Sequence, residues 1–390
     1  MIQNELTEWD EDIDASPEAE YEALVRSLRW AKDFGLLFVQ CSPAEGERLI
    51  ERVSGDISEK TVDVLRLDDE IEDLYETVSS FPNRDQINVL FIMGLEKSLV
   101  SYIQPGYGSE GDYYAKDSVP KILGKLNLQR EKFKDTFKLC FVFLVPRYAM
   151  RYLIRRAADF FDWRSGVWEF VSPQDELQRE TQTIVQEGDY SQYLSWTSQQ
   201  RRERILTIDD LLEEGHQSDE EISQLRFEQG NILHANKNHE KAIASYDKAI
   251  EFKPDLPEVW TNRGVALSDL GRHEAAIASY DKAIEFKPDD PDAWYTRGIS
   301  LSALGRKEAA IASYDKAIDV KPDYPAAWNN RGNALYALGR YEAAIASYDK
   351  AIEFKPDYPE AWNNRGTALS DLGRYEAAIA SYDKAIEFKP

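Results

Sequence analysis

The chain has 390 residues, 43% hydrophobic and 12% aromatic, and its 71 acidic against 47 basic side chains leave a formal net charge of −24. That length admits two or three folded domains, and that charge repels a phosphate backbone, which excludes unaided DNA or RNA binding as the expected activity. The excess is uneven: 26 acidic and 22 basic side chains in residues 223–390 leave −4 there, so −20 falls on residues 1–222.

Cys41 and Cys140 each lie beside an apolar run and read as buried thiols of a reducing compartment. The opening MIQNELTEWDEDID has neither the basic segment nor the apolar core of a signal peptide. The longest apolar stretch, Leu139 to Pro146, is far too short to span a membrane. A cytoplasmic protein without membrane contact is the expectation.

Residues 1–175 alternate helical and strand-like patterns. In chain order they are a helix over Ala19–Lys32, a strand over Gly35–Cys41, a helix over Ala44–Val53 and a strand over Val62–Leu67. A helix over Asp69–Ser79, a strand over Ile87–Met93, a helix around Leu126–Phe137, a strand over Leu139–Val145 and a helix over Arg147–Phe161 follow. Apolar strands separated by helices predict a three-layer α/β domain with a mainly parallel sheet. Tyr102–Ala115 is glycine-rich and aromatic, either a mobile loop or a recognition loop. The aromatic run Phe160–Phe170 either closes the sheet or meets a partner. The Arg147, Arg151, Arg155 and Arg156 cluster is expected to form internal ion pairs or a docking patch.

The order of these elements resembles the core of a P-loop domain of the signalling ATPase type. The segments INVLFIMGLEKS, LNLQREKFKD and FVFLVPRYAMRYLIRRAADFFDWRSGVWEF resemble a degenerate P-loop-like domain that precedes tetratricopeptide arrays in multidomain bacterial, often cyanobacterial, proteins. A working phosphate loop would read G-x-x-x-x-G-K-S/T after the first strand. Here Cys41-Ser42-Pro43-Ala44-Glu45-Gly46-Glu47-Arg48 has one glycine, no lysine and two carboxylates at the helix start, which is hostile to a triphosphate. Glu96 sits near the place of a metal-holding acid, and a cap or ion pair is its expected role. No HExxH, GxSxG or paired-cysteine motif occurs, and four histidines leave little room for acid–base chemistry near pH 7. No catalytic, cofactor-binding or metal residue is expected. Residues 176–222 are polar and strongly charged and read as a helical linker, with one helix over Gln199–Leu212.

From residue 223 the chain repeats itself at a period of 34. Trp260, Trp294, Trp328 and Trp362 recur, and Gly264, Gly298, Gly332 and Gly366 follow each at a fixed offset. Such a period predicts a helical solenoid of stacked helix pairs. The units are 223–256, 257–290, 291–324, 325–358 and 359–390. In the fourth, the first helix runs from about Trp328 to the Gly339-Arg340 turn; the second carries Ala344, Ile345, Tyr348, Ala351 and Ile352 and ends at Lys355-Pro356. The pattern resembles the tetratricopeptide repeat, with one regular departure: Arg263, Arg297, Arg331 and Arg365, and Gln229 in the first unit, stand where that family has leucine. Carboxylates of neighbouring units are the expected partners.

In that family the first helices line a concave groove, so the resemblance implies peptide-binding positions at Tyr295, Asn329, Asn333, Tyr336, Asn363 and Thr367, with Ile299, Ser302 and Ser370 in the same rows. The lysines that clamp a terminal carboxylate are missing there. A plain hydrophilic lining is the competing reading of the asparagines. His234 and His239 read as surface or junction histidines and not as metal ligands. No polar-faced capping helix follows the last unit, so truncation or self-association through that repeat is expected. A non-enzymatic scaffold or adaptor that binds a protein or peptide is the favoured function. Its alternative is a nucleotide-dependent switch of the signalling ATPase type with an altered phosphate loop.

Overall fold

A computed structural model describes residues 16–103, 119–215 and 217–388. All but the first two residues of the glycine-rich segment Tyr102–Ala115 lie outside these. By internal contacts the chain divides into two units, residues 1–187 with 196–216, and residues 188–195 with 217–390.

The first unit opens with α1 (Pro17–Trp30), capped by Ser16 and started by a proline, followed by β1 (Gly35–Gln40) and α2 (Pro43–Asp56). Then come β2 (Val62–Arg66), α3 (Leu74–Ser79), β3 (Val89–Met93), α4 (Lys121–Thr136) and β4 (Cys140–Val145). α5 (Arg147–Arg156), α6 (Ala158–Phe161) and β5 (Gly166–Glu169) complete the sheet region. The strands are all parallel, in the order β2-β3-β4-β1-β5. β1 and β4 are central, and both are almost wholly buried, which explains why they are apolar without alternation. Leu36, Phe38, Phe141 and Phe143 face the layer of α3 to α6, while Leu37, Val39, Val142 and Leu144 face α1 and α2. The three-layer α/β architecture is therefore the observed one.

Two details differ from the expectations above, and a third decides between two alternatives. The helix expected from Asp69 begins only at Leu74, because Asp73 caps it by accepting from the Glu76 N–H at 3.1 Å. The helix expected over Arg147–Phe161 is interrupted at Ala157, whose φ of −122° and ψ of 41° are not helical. The aromatic run yields β5, which pairs with β1 and closes that edge of the sheet. Beyond it lie α7 (Gln174–Gln186), α8 (Tyr190–Ser195) and α9 (Ser198–Glu214). α7 and α9 belong to the α/β unit, and α8 to the second.

The second unit is a run of antiparallel helix pairs: α10 (Asp219–Ala235) with α11 (His239–Phe252), α12 (Pro257–Asp269) with α13 (His273–Phe286), and α14 (Pro291–Ala303) with α15 (Lys307–Val320). α16 (Pro325–Ala337) with α17 (Tyr341–Phe354), and α18 (Pro359–Asp371) with α19 (Tyr375–Glu387), end the described part. Each pair crosses where a glycine faces a tyrosine ring, buried in the first four pairs and partly buried in the last. A Cβ placed on Gly332 would lie 2.5 Å from Cε1 of Tyr348, so no larger residue fits without moving the ring. Between the helices the chain turns through left-handed glycines such as Gly339 at φ 72°; in the first pair this place is taken by Lys237 at φ 58°.

The arginine row clips successive pairs together. Arg331 Nε donates to Asp315 of the preceding pair at 2.5 Å, and its NH1 donates to Ser347 of its own pair at 2.7 Å. Arg263, Arg297 and Arg365 repeat both contacts. A half-buried guanidinium thus has partners on two sides. Each tryptophan ties the incoming loop, as Trp328 Nε1 does to the Pro322 carbonyl at 2.8 Å. In α19, Ile379 is 60% exposed, against 7% for Ile345 at the equivalent place in α17.

Candidate peptide groove and strand-end cavity

The six expected groove residues lie on three consecutive first helices, and they are not equally free. Asn329 is 5% exposed and its side-chain oxygen accepts from Asn364 Nδ2 of the next repeat at 3.1 Å. Asn333 is exposed, yet its oxygen accepts from Tyr348 OH at 2.9 Å and from Asn364 at 3.0 Å. Tyr295 OH accepts from Asn330 Nδ2 at 3.1 Å. Tyr336 OH donates to Asp371 at 2.5 Å, and that carboxylate pushes its pKa up to about 12. Thr367 donates to the Asn363 carbonyl at 3.1 Å within their shared helix. Asn363 is exposed.

Asn330 and Asn364, for which the sequence suggests no role, are the residues that join these rows. With Asn262, which donates to Asn231 at 2.9 Å, they link α12 to α10, α16 to α14 and α18 to α16, whereas Thr296, at the same place in α14, donates within its own helix. Their 34-residue recurrence is visible in the sequence, but a period identifies equivalent positions without saying which way an amide points. What the surface offers an extended chain is therefore the exposed edges of Asn333 and Asn363, Ile299 at 37% exposure, and the half-exposed rings of Tyr295 and Tyr336.

The α/β unit holds a cavity of about 450 Å³. It lies at the carboxyl ends of the strands, where the helix after β1 and the helix after β4 depart to opposite faces, the place where open α/β sheets bind ligands. Its lining is unsuited to phosphate. Eight carboxylates face three cations there, and Glu203, Asp210 and Glu214 come from one side of α9. Burial pushes the Glu96 carboxyl up to about 7 and that of Asp210 up to about 8; Glu180 and Glu203 are raised by the same cause. The start of α2 is already satisfied: Ser42 Oγ accepts from the Glu45 N–H at 3.2 Å, and Glu47 pairs with Arg66 at 2.6 Å. Glu96 Oε2 is buried without a hydrogen-bond partner, and the contact that favours the charged form is with its own backbone N–H. Arg147 and Arg151 pair with Glu213 at 3.5 and 2.7 Å. Cys41 also lines the cavity, but burial pushes its thiol up to about 12, so it is no nucleophile near neutral pH.

The family model described as TPR repeat matches residues 230–271, 266–305, 300–339 and 332–373, and that described as tetratricopeptide repeat matches 359–390. Residues 230–390 are thus a tetratricopeptide-repeat array. No curated protein matches the chain. Among solved structures, a crystal structure of MamA is 26% identical and covers 41% of this chain and 94% of its own, with a TM-score of 0.40. MamA from Desulfovibrio magneticus RS-1 is 19% identical over 43% and 94%, at 0.41. YrrB, described as a TPR protein with an unusual peptide-binding site, is 22% identical over 47% and 92%, at 0.41.

Proposed function

We propose that the chain is a non-enzymatic scaffold or adaptor whose first repeat helices bind a protein or peptide along the row of Tyr295, Asn329, Asn333, Tyr336, Asn363 and Thr367. The observation that carries this is the surface itself. Two exposed asparagines, an exposed isoleucine and two half-exposed tyrosines lie on consecutive first helices whose backbones are fixed by the arginine clips and the asparagine links. Amides satisfy an extended backbone and tyrosines supply contact area at small entropic cost. Asn329 enters this as a support for its neighbours, since it is buried.

The three-part division, an α/β domain over 1–175, a charged helical linker over 176–222 and five repeats over 223–390, belongs to the same proposal, as does a cytoplasmic location. Among the described residues no helix is long and apolar enough to cross a membrane. The net charge of −24 supports a partner other than nucleic acid. The exposed side of α19 supports self-association through the last repeat. Capture of partner by the full chain, compared with an Asn333→Ala, Tyr336→Ala, Asn363→Ala variant of unchanged helix content, is the test. Undiminished capture by the variant removes the groove assignment.

A nucleotide-dependent switch with an altered phosphate loop is the second reading; the degenerate P-loop kinship of the first domain, with its cyanobacterial setting, is compatible with either, since a domain that has lost its phosphate loop needs no nucleotide. The position of the cavity favours the switch. The carboxylate lining and the self-capped start of α2 weigh against a triphosphate. Calorimetry of the full chain with magnesium-ATP separates the two readings.

A further inference from the structure

Among the described residues one group of metal-capable side chains converges away from both sites. His234 near the end of α10, His239 at the start of α11 and Asp269 at the end of α12 each offer one ligand atom, and all three atoms lie within 4.8 Å of one another. His234 Nε2 is 2.8 Å from Asp269 Oδ2, and His239 Nδ1 is 3.8 Å from the same oxygen. That Nδ1 is buried and has no hydrogen-bond partner. The other ring nitrogen of His234 lies 3.0 Å from Tyr190 OH of α8.

The repeat itself does not require imidazoles here. At each further step of 34 residues, the places of His234 and His239 hold Ser268 and His273, Ser302 and Lys307, Tyr336 and Tyr341, then Ser370 and Tyr375. In the fourth repeat Tyr336, Tyr341 and Asp371 fill all three places. The two rings lie 5.3 Å apart, as the histidine rings lie 5.0 Å apart, and Tyr336 donates to Asp371 at 2.5 Å. Two phenols and a carboxylate therefore make the same inter-repeat contact. In the first repeat both rings are instead nitrogen donors, and one of those donors is left unsatisfied.

We propose that His234, His239 and Asp269 bind a divalent transition metal ion, zinc above all, which ties the first repeat to the second. Two imidazoles and one carboxylate with a fourth position open to water is a zinc donor set, and it is a poor one for magnesium or calcium, which take oxygen ligands. Around a tetrahedral ion with bonds of about 2.0–2.1 Å the donors stand roughly 3.3 Å apart. The observed 2.8 and 3.8 Å bracket that spacing, so small side-chain rotations suffice. With His234 Nε2 on the metal, its Nδ1–H donates to Tyr190, the outer contact that fixes a ligand ring. Asp269 is 46% exposed and gives the ion a path from solvent. The rival arrangement is a plain hydrogen bond between His234 and Asp269, which needs no metal.

The test is titration of the tag-free, chelator-treated full chain with zinc alone by calorimetry, with cobalt(II) absorption as the second readout. One equivalent should bind with a Kd of about 1 µM or tighter, cobalt should give the strong visible bands of four-coordinate nitrogen and oxygen ligation, and the thermal midpoint should rise with zinc. The His234→Tyr, His239→Tyr double variant copies the fourth repeat and should fold normally while losing the site. Asp269→Asn, nearly isosteric, should weaken zinc about tenfold or more, and it decides the question on its own if the double variant fails to fold. Absence of zinc binding by the unaltered chain, or equal binding by these variants, overturns the proposal.

Discussion

Replacing Asp210 by asparagine should stabilise the α/β unit at alkaline pH and leave it nearly unchanged in mild acid. Asp210 sits on α9 against the cavity, and burial pushes its carboxyl up to about 8; Glu213 and Asp209 add repulsion, while the Tyr148 N–H and Arg151 relieve it only in part. The unfolded value is about 3.9. Between the two values the native state holds a proton that the unfolded state has released, so stability falls as pH rises from about 4 to about 8 and is flat above. That difference, at roughly 1.4 kcal/mol per pH unit, sets a ceiling of about 6 kcal/mol. The surroundings of a buried carboxylate relax when it ionises, so a gain of roughly 2 kcal/mol at pH 8 is the expected figure. Asparagine keeps an oxygen for the Tyr148 N–H, now accepted by Asp210 at 3.3 Å. The assay is calorimetric unfolding of the full chain at pH 5 and pH 8, with hydrogen-exchange protection of residues 139–145, corrected for intrinsic rates, to report on this unit. No gain at pH 8, or a wild-type unit that becomes more stable between pH 5 and 8, refutes the reasoning.

Three further outcomes are expected. Gly332→Ala forces a Cβ to 2.5 Å from a ring carbon of Tyr348 and should cost about 2–3 kcal/mol in urea unfolding, whereas unchanged stability would mean that the ring moves freely. Lys237→Gly relieves a left-handed φ of 58° and should raise the thermal midpoint, by about 1 kcal/mol in stability; a fall would show that the lysine side chain contributes more than the backbone loses. Magnesium-ATP should show no micromolar binding to the full chain, and a calorimetric isotherm in that range would restore the nucleotide switch.

The repeats are legible in the sequence because their constraints are local and periodic. Glycine against tyrosine and proline after the second helix are each imposed by the shape of one helix pair, so they recur at every pair, and glycine at the turn recurs at all but the first, where Lys237 takes its place. The arginine departure is legible for the same reason, and its partners lie sixteen residues away on either side in every repeat. The direction of individual amides is not. Asn329 and Asn330 are adjacent and both polar, and only the helix phase decides that the first is buried while the second reaches back to Tyr295. The central strands stand out as unbroken apolar runs. β5 does not, because an edge strand four residues long has no period to read, and Trp168 and Phe170 would suit a surface patch equally well.

The same logic explains why the packing of α9, though not the helix itself, is opaque in the sequence. Its composition is that of a solvated tether, and polar charged segments between two domains are usually linkers. Yet Glu203, Thr207, Asp210, Leu211 and Glu214 follow one another at helical spacing and line the cavity. Carboxylates on a helix are recognised as lining only when something concave lies opposite, and the cavity is assembled at the carboxyl ends of the strands, earlier in the chain. Raised carboxyl pKa values then follow from packing and not from any local motif. The acidic character that weighs against a triphosphate at the first strand also recurs here, so both ends of the pocket place carboxylates where further negative charge would be repelled.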